Sequence, residues 1–152
     1  MSIFINKIIM KNYIKLKLSE NLLNNKPMMN CAGVLIKSID SGNILLLLRN
    51  DYPIENTWSM VAGKIEIGES DLEGLKREVN EELSINPDII KYRFMAKELN
   101  LIKNVNFSWY VGLTDKEFIP KLDEENLDYG WFNINNLPNP LYPGTLDKIK
   151  ML

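Results

Sequence analysis

The 152-residue chain contains no histidine. That absence removes His-ligated zinc, Ser-His-Asp and Cys-His nucleophile systems and an imidazole base together, so any acid, base or ligand must come from Asp, Glu, Lys, Tyr or the backbone. Cysteine is nearly absent too. The single Cys31 cannot close an internal disulfide, which fits a reducing compartment, and it reads as a small buried hydrophobe. Net charge is only −2, so nothing global points to nucleic acid or an anionic membrane as partner, and a small molecule is the expected one. Long apolar runs are missing as well. Residues 1–30 are broken by Lys7, Lys11, Lys15 and Lys17, which excludes a membrane span, and no alanine precedes Ala32 to make a signal-peptide cleavage site. The expected location is the cytoplasm.

What is present is the composition of one ordinary globular domain, 45% hydrophobic and 25% charged. We divide it into an N-terminal extension, 1–27, and a domain, 28–152. The alternation Tyr13-Ile14-Lys15-Leu16-Lys17-Leu18 favours a strand in the extension. The extension is expected to pack, as an extra strand or helix, on the domain or on a second copy, and its exchange between copies would make a homodimer; the competing reading is a basic membrane-surface segment. Past Pro27, the stretches 31–38 and 43–49 flank Asp40-Ser41-Gly42 as a hairpin, and 50–56 with Pro53 is a loop. Stretches 91–99 and 105–113 form a second hairpin around Lys103-Asn104. An acidic loop, 121–128, then precedes a strand at 129–134, a Pro-rich exit and a short C-terminal helix.

The segment between the hairpins carries the chemistry. Ser70 and Glu73 have capping-box spacing, so a helix starts there. Leu72, Leu75, Val79 and Leu83 recur at spacings of three and four and form the stripe that seats this helix on a sheet. Glu78, Glu81 and Glu82 fall in an arc of roughly 100° to one side of that stripe. Carboxylates so spaced destabilise a helix by roughly 0.2 to 0.5 kcal/mol per pair, so the cluster faces either plain solvent or a cation. Gly74, one turn before Glu78, is either merely tolerated or leaves room for a ligand. Arg49 could meet a phosphate or form a surface salt bridge, and Trp58, Trp109, Tyr110, Tyr129 and Tyr142 could stack a base or pack in the core. A P-loop is excluded, because Glu69 stands where its lysine would have to be.

The full spacing is Gly63, five residues, Glu69, seven residues, Arg77-Glu78-Val79, one residue, Glu81-Glu82, one residue, Ser84, then Ile85. This resembles the Nudix box of the Nudix hydrolases, and six fixed identities match by chance on the order of 10⁻⁷ per starting position. The resemblance runs from about residue 30 to the C-terminus. It implies an α/β (α+β) fold, an α/β/α sandwich around a mixed sheet. It also implies hydrolysis of a diphosphate linkage in a nucleoside triphosphate or nucleoside diphosphate derivative with Mg²⁺ or Mn²⁺, hard ions suited to carboxylate oxygen. The alternative is a Nudix-fold nucleotide-binding or regulatory module without turnover. By the same resemblance, Glu78, Glu81, Glu82 and the Ala62 carbonyl are the metal ligands, and Glu69 pairs with Arg77 to hold the loop on the helix. One of the three glutamates, or Glu125 in the acidic loop, is the general base. Beside these roles, Gly63, Arg49 and Trp58 are the candidates for the substrate side. Three departures stand out. Ser84 replaces the usual glycine at a left-handed position, Val61-Ala62 replaces the common Pro-Gly, and the missing histidine excludes relatives resembling isopentenyl diphosphate isomerase or GDP-mannose glycosyl hydrolase.

Overall fold

The computed structural model describes residues 3–24, 27–51 and 55–152. Seven strands form one mixed sheet: β1 (Met29–Ser38), β2 (Ile44–Arg49), β3 (Trp58–Ser59), β4 (Val61–Lys64), β5 (Lys91–Asn100), β6 (Val105–Thr114) and β7 (Asn126–Phe132). Helix α1 (Ile3–Leu23) precedes the sheet, α2 (Asp71–Leu83) follows β4, and α3 (Thr145–Ile149) closes the chain. Both expected hairpins form, the first turning at Gly42 with φ +73° and the second at Asn104 with φ +55°. Pro53, in the expected loop, lies outside the described residues.

Alternation along β1 and β2 sorts side chains into two cores, as a period of two requires. Val34, Ile36, Leu45 and Leu47 meet Leu75, Val79 and Leu83 of α2 on one face. Leu35, Ile44 and Leu46 meet Met60, Trp109 and Ile149 of α3 on the other. The leucine run of β2 is thus explained by burial on both faces.

The sheet is split. β1 and β2 pair antiparallel only at Ile36↔Leu45 and Lys37↔Ile44, and then diverge. Into the gap enter β3, which pairs with β2 at Leu47↔Ser59 and Leu48↔Trp58, and β4, which pairs with β1 from Cys31↔Lys64 to Val34↔Val61. The chain crosses between the two halves at buried Met60. Beyond β1, β6 runs parallel over ten register pairs with β5 as the edge, while β7 pairs with the far side of β2. The wedge delivers Ala62-Gly63-Lys64 to the point where α2 begins to cross the sheet.

Two expectations are corrected. Residues 13–18 are helical, within α1. The period-two pattern there spans only six residues. No glycine or proline interrupts residues 3–24, and a strand without a neighbour would leave its N–H and C=O groups unpaired, whereas a helix pairs them internally. Ile9, Met10, Leu16 and Leu22 of this helix are more than half exposed. The last strand begins at Asn126, inside the expected acidic loop, because Arg49↔Asn126 and Leu48↔Asp128 pair across a bulge at Leu127 in β7. Sheet pairing here overrides the weak strand preference of Asn and Asp.

Candidate active site

Helix α2 starts as its sequence dictates. The Ser70 hydroxyl accepts from Glu73 N at 3.3 Å, and the Glu73 carboxylate accepts from Ser70 N at 2.8 Å, a complete capping box. It ends at Ser84, which adopts the left-handed conformation (φ 53°, ψ 39°) expected of a glycine and donates its N–H to Asn80 O. For a residue with a Cβ this costs about 1 kcal/mol. Gly74 does not open space for a ligand: a methyl there would come within 2.6 Å of Ile65 and 2.8 Å of Glu69, so the loop itself fills the gap.

Arg77 organises the outer part of the site. Its guanidinium donates to both oxygens of Glu69 (2.8 and 3.1 Å), to Glu78 (2.9 Å), to Glu81 (3.1 Å) and to the Lys64 carbonyl (2.8 Å). Glu69 also accepts from Glu66 N at 2.9 Å, so the turn from β4 to α2 is stitched to the helix at both ends. Bonding to Arg77 and Glu66 holds the Glu69 carboxyl below its ordinary range. Gly63 is required by proximity, since a methyl there would overlap the Glu78 carboxylate.

Glu82 faces inward and is 1% exposed. Its Oε2 accepts from Asn126 Nδ2 at 2.9 Å and lies 3.9 Å from Arg49. Its Oε1 has no hydrogen-bond partner. Burial drives its carboxyl up to about 8, against the pull of Asn126 and Arg49. Burial also raises Glu78, with Arg77 opposing. Arg49, 8% exposed, clasps Asp51 with two bonds of 2.8 and 2.9 Å and lies 3.8 Å from Glu125. The acidic loop is therefore more than a solvated surface. Asn50 N donates to the Glu125 carbonyl, and Asn126 Nδ2 bonds Asp123 as well as Glu82.

Glu78, Glu81 and Glu82 do not converge on one point. Glu81 is half exposed and bends with Glu78 toward Arg77, while Glu82 points into the protein. Among the described residues, no three Asp, Glu, His or Cys side chains are gathered closely enough to hold a metal as they stand. The donor set nevertheless fits a hard divalent cation. It consists of oxygen alone, one buried carboxylate oxygen is unpartnered, and burial destabilises the very negative charge that a cation would neutralise.

Beside this cluster opens a cleft of about 860 Å³, bounded by Arg49, Asp51 and Ala62–Lys64 at one end and by Leu99–Lys103, Phe107 and Tyr142–Thr145 at the other. Its size suits a nucleotide-sized ligand. Trp58 is not on its wall but packs edge-on against Phe132, with ring centroids 5.0 Å apart, in the second core. Trp109 is fully buried, and of the aromatic side chains considered as base stackers Tyr142 alone lines the cleft. Cys31 is half-buried on the cleft wall rather than in the core, and burial raises its thiol. Sequence reasoning missed Asp51, Asp123 and Asn126. The stretch Glu124-Glu125-Asn126 was visible as an acidic loop, but nothing local announced that Asn126 would be buried against Glu82.

Comparison with known proteins gives a family. The sequence profile of the NUDIX domain matches residues 29–152. A Caenorhabditis elegans protein named "Putative nudix hydrolase 1" is 26% identical over 106 residues, 70% of this chain and 28% of its own length, so the chain spans less than a third of that relative. Among solved structures, a NUDIX hydrolase from Nitrosomonas europaea matches with TM-score 0.68 and 22% identity, over 82% of this chain and 69% of that one. A MutT NUDIX hydrolase from Burkholderia pseudomallei matches with TM-score 0.62 and 23% identity, over 80% and 96%. At these identities the structural likeness concerns the fold.

Proposed function

Since the chain belongs to the NUDIX family, we propose that it is a pyrophosphohydrolase that cleaves a diphosphate linkage in a nucleoside triphosphate or nucleoside diphosphate derivative, using Mg²⁺ or Mn²⁺. The observation that carries this reading is Glu82: a buried carboxylate with a free oxygen, on the same helix face as Glu78 and 3.9 Å from Arg49, which lines a nucleotide-sized cleft. The cation would be held by Glu78, Glu81, Glu82 and the Ala62 carbonyl, and when bound it supplies neutralisation of the diphosphate charge and acidification of a water.

The chain's own residues do the rest. Arg77, anchored by Glu69 and the Lys64 carbonyl, sets the positions of Glu78 and Glu81. Gly63 allows Glu78 to lie against the β4 backbone. Glu125 is our choice of general base: it is exposed, free of short bonds to its carboxylate and held near the cluster through Arg49. Arg49, clamped by Asp51, offers positive charge at the phosphate end of the cleft. The cytoplasm is the compartment in which this reading sets the reaction.

A second reading, binding without turnover, draws on the capture of Glu78 and Glu81 by Arg77. A phosphate-release screen over nucleoside triphosphates, dinucleoside polyphosphates and nucleotide sugars with Mg²⁺ or Mn²⁺ separates the two. Turnover by the native protein, reduced on the order of 10³-fold in Glu82→Gln, is the expected result. Nucleotide binding with no turnover of any compound would establish the second reading.

A further inference from the structure

The buried end of the cluster holds more acceptors than donors. Glu82 Oε1 is unpartnered, and so is Asn126 Oδ1, on a side chain that is itself only 6% exposed. The orientation of the Asn126 amide is determined by its neighbours. Its Nδ2 lies 2.9 Å from Glu82 Oε2 and 3.0 Å from Asp123 Oδ1, and turning the amide over would set a carbonyl oxygen against both carboxylates. The carbonyl oxygen is therefore the atom left over. Two directly bonded residues thus each keep one buried oxygen with lone pairs unused, and buried acceptors without partners are rare in folded proteins.

No nearby donor reaches these oxygens. Arg49 gives Nε and one terminal nitrogen to Asp51 and brings the other terminal nitrogen only to 3.9 Å from Glu82 Oε2, and Arg77 is occupied by Glu69, Glu78, Glu81 and the Lys64 carbonyl. A carboxylate oxygen and a neutral amide oxygen together are hard donors, the mixture that divalent cations of this class accept. A donor other than a carboxylate is also what the site needs, because no three acidic side chains among the described residues gather closely enough by themselves.

We propose that Asn126 belongs to the cation site of Glu82: its amide nitrogen orients the carboxylate, and its amide oxygen is a donor to the same divalent ion. This rests on the reading that a divalent cation sits at Glu82, and the experiment keeps the two apart. The full chain, without nucleotide, is titrated with Mn²⁺, and free Mn²⁺ is read by electron paramagnetic resonance, for the native protein, Asn126→Leu and Asn126→Asp. Asn126→Leu, which removes both amide atoms, is expected to weaken Mn²⁺ binding by about tenfold or more. Asn126→Asp, which keeps an oxygen at the position, is expected to bind at least ten times tighter than the Leu variant. Equal affinity of Asn126→Leu and native protein, or of the Leu and Asp variants, overturns the proposal. If thermal melting shows the Leu variant unfolded, Asn126→Ala replaces it with the same expectations. Native protein that binds no Mn²⁺ defeats the cation reading itself. Native protein that binds Mn²⁺ but hydrolyses nothing defeats only the hydrolase reading.

Discussion

Two arginines sit among glutamates in this protein, and their surroundings differ. Arg77, about a quarter exposed, is joined to Glu69, Glu78 and Glu81 and to one carbonyl, all within the eighteen residues of chain from Lys64 to Glu81. Arg49 is buried, and its Asp51, Glu82 and Glu125 partners come from three separate segments. The outer group is well paired and partly wet. The inner one has a dry centre, Arg49 and Glu82, with Asp51 and Glu125 at its exposed rim, and it is short of donors, with Glu82 lifted to about 8 and two acceptor oxygens unpartnered. Local sequence spacing can assemble a satisfied ion cluster, whereas a dissatisfied one has to be enforced by packing from distant segments, and such enforced strain concentrates where proteins bind or react.

The contrast can be broken most severely at the outer group. Arg77→Ala removes five hydrogen bonds together and should lower kcat/KM on the order of 10³-fold in whichever assay the substrate screen identifies. Activity within threefold of native would mean that Arg77 does not set the glutamates. The inner group should behave in the opposite sense in the absence of metal. The folded-state pKa of Glu82 is raised above the unfolded value near 4.5, so its favourable contribution is complete below about pH 4.5 and is lost as pH rises toward about 8. Glu82→Gln, neutral at every pH, should therefore stabilise the metal-free protein by on the order of 3 kcal/mol at pH 8.5 and by much less at pH 5. Chemical denaturation at both pH values checks this, and a stability gain independent of pH would remove the charge argument.

A smaller effect sharpens the boundary between the groups. Gly63→Ala pushes a methyl into the Glu78 carboxylate and should lower kcat by roughly 10- to 100-fold while circular dichroism stays native. Unchanged kcat would show that Glu78 need not lie against β4. Ser84→Gly touches neither cluster and serves as the control. Relief of the left-handed serine should add about 1 kcal/mol of stability with activity unaltered, measured by thermal melting alongside turnover. A loss of stability would mean that the serine side chain has a role not visible in its hydrogen bonds.

The residues legible in advance share one property, namely that their partners are near in sequence. Ser70 and Glu73 cap α2, Glu69 meets Arg77 two helical turns on, and both hairpins close at the turns their residues dictate. Where the reading failed, a distant segment decided. Residues 13–18 are helical for want of a partner strand, Trp58 packs on Phe132, and Gly74 is filled by Ile65. Asn126 carries no local mark of its place, because an Asn at the end of an acidic loop looks the same whether water or Glu82 receives its amide.

By itself the sequence determined which oxygen atoms are available, that no histidine shares their work, and that Glu78, Glu81 and Glu82 would ride one side of a capped helix, since helical spacing is set by backbone geometry alone. Only the tertiary structure decided that Arg77 would take Glu78 and Glu81 while β2, β7 and the 123–125 loop closed over Glu82. The reason is that desolvation is a property of everything surrounding a carboxylate, and that surrounding is brought together from parts of the chain that local spacing does not connect.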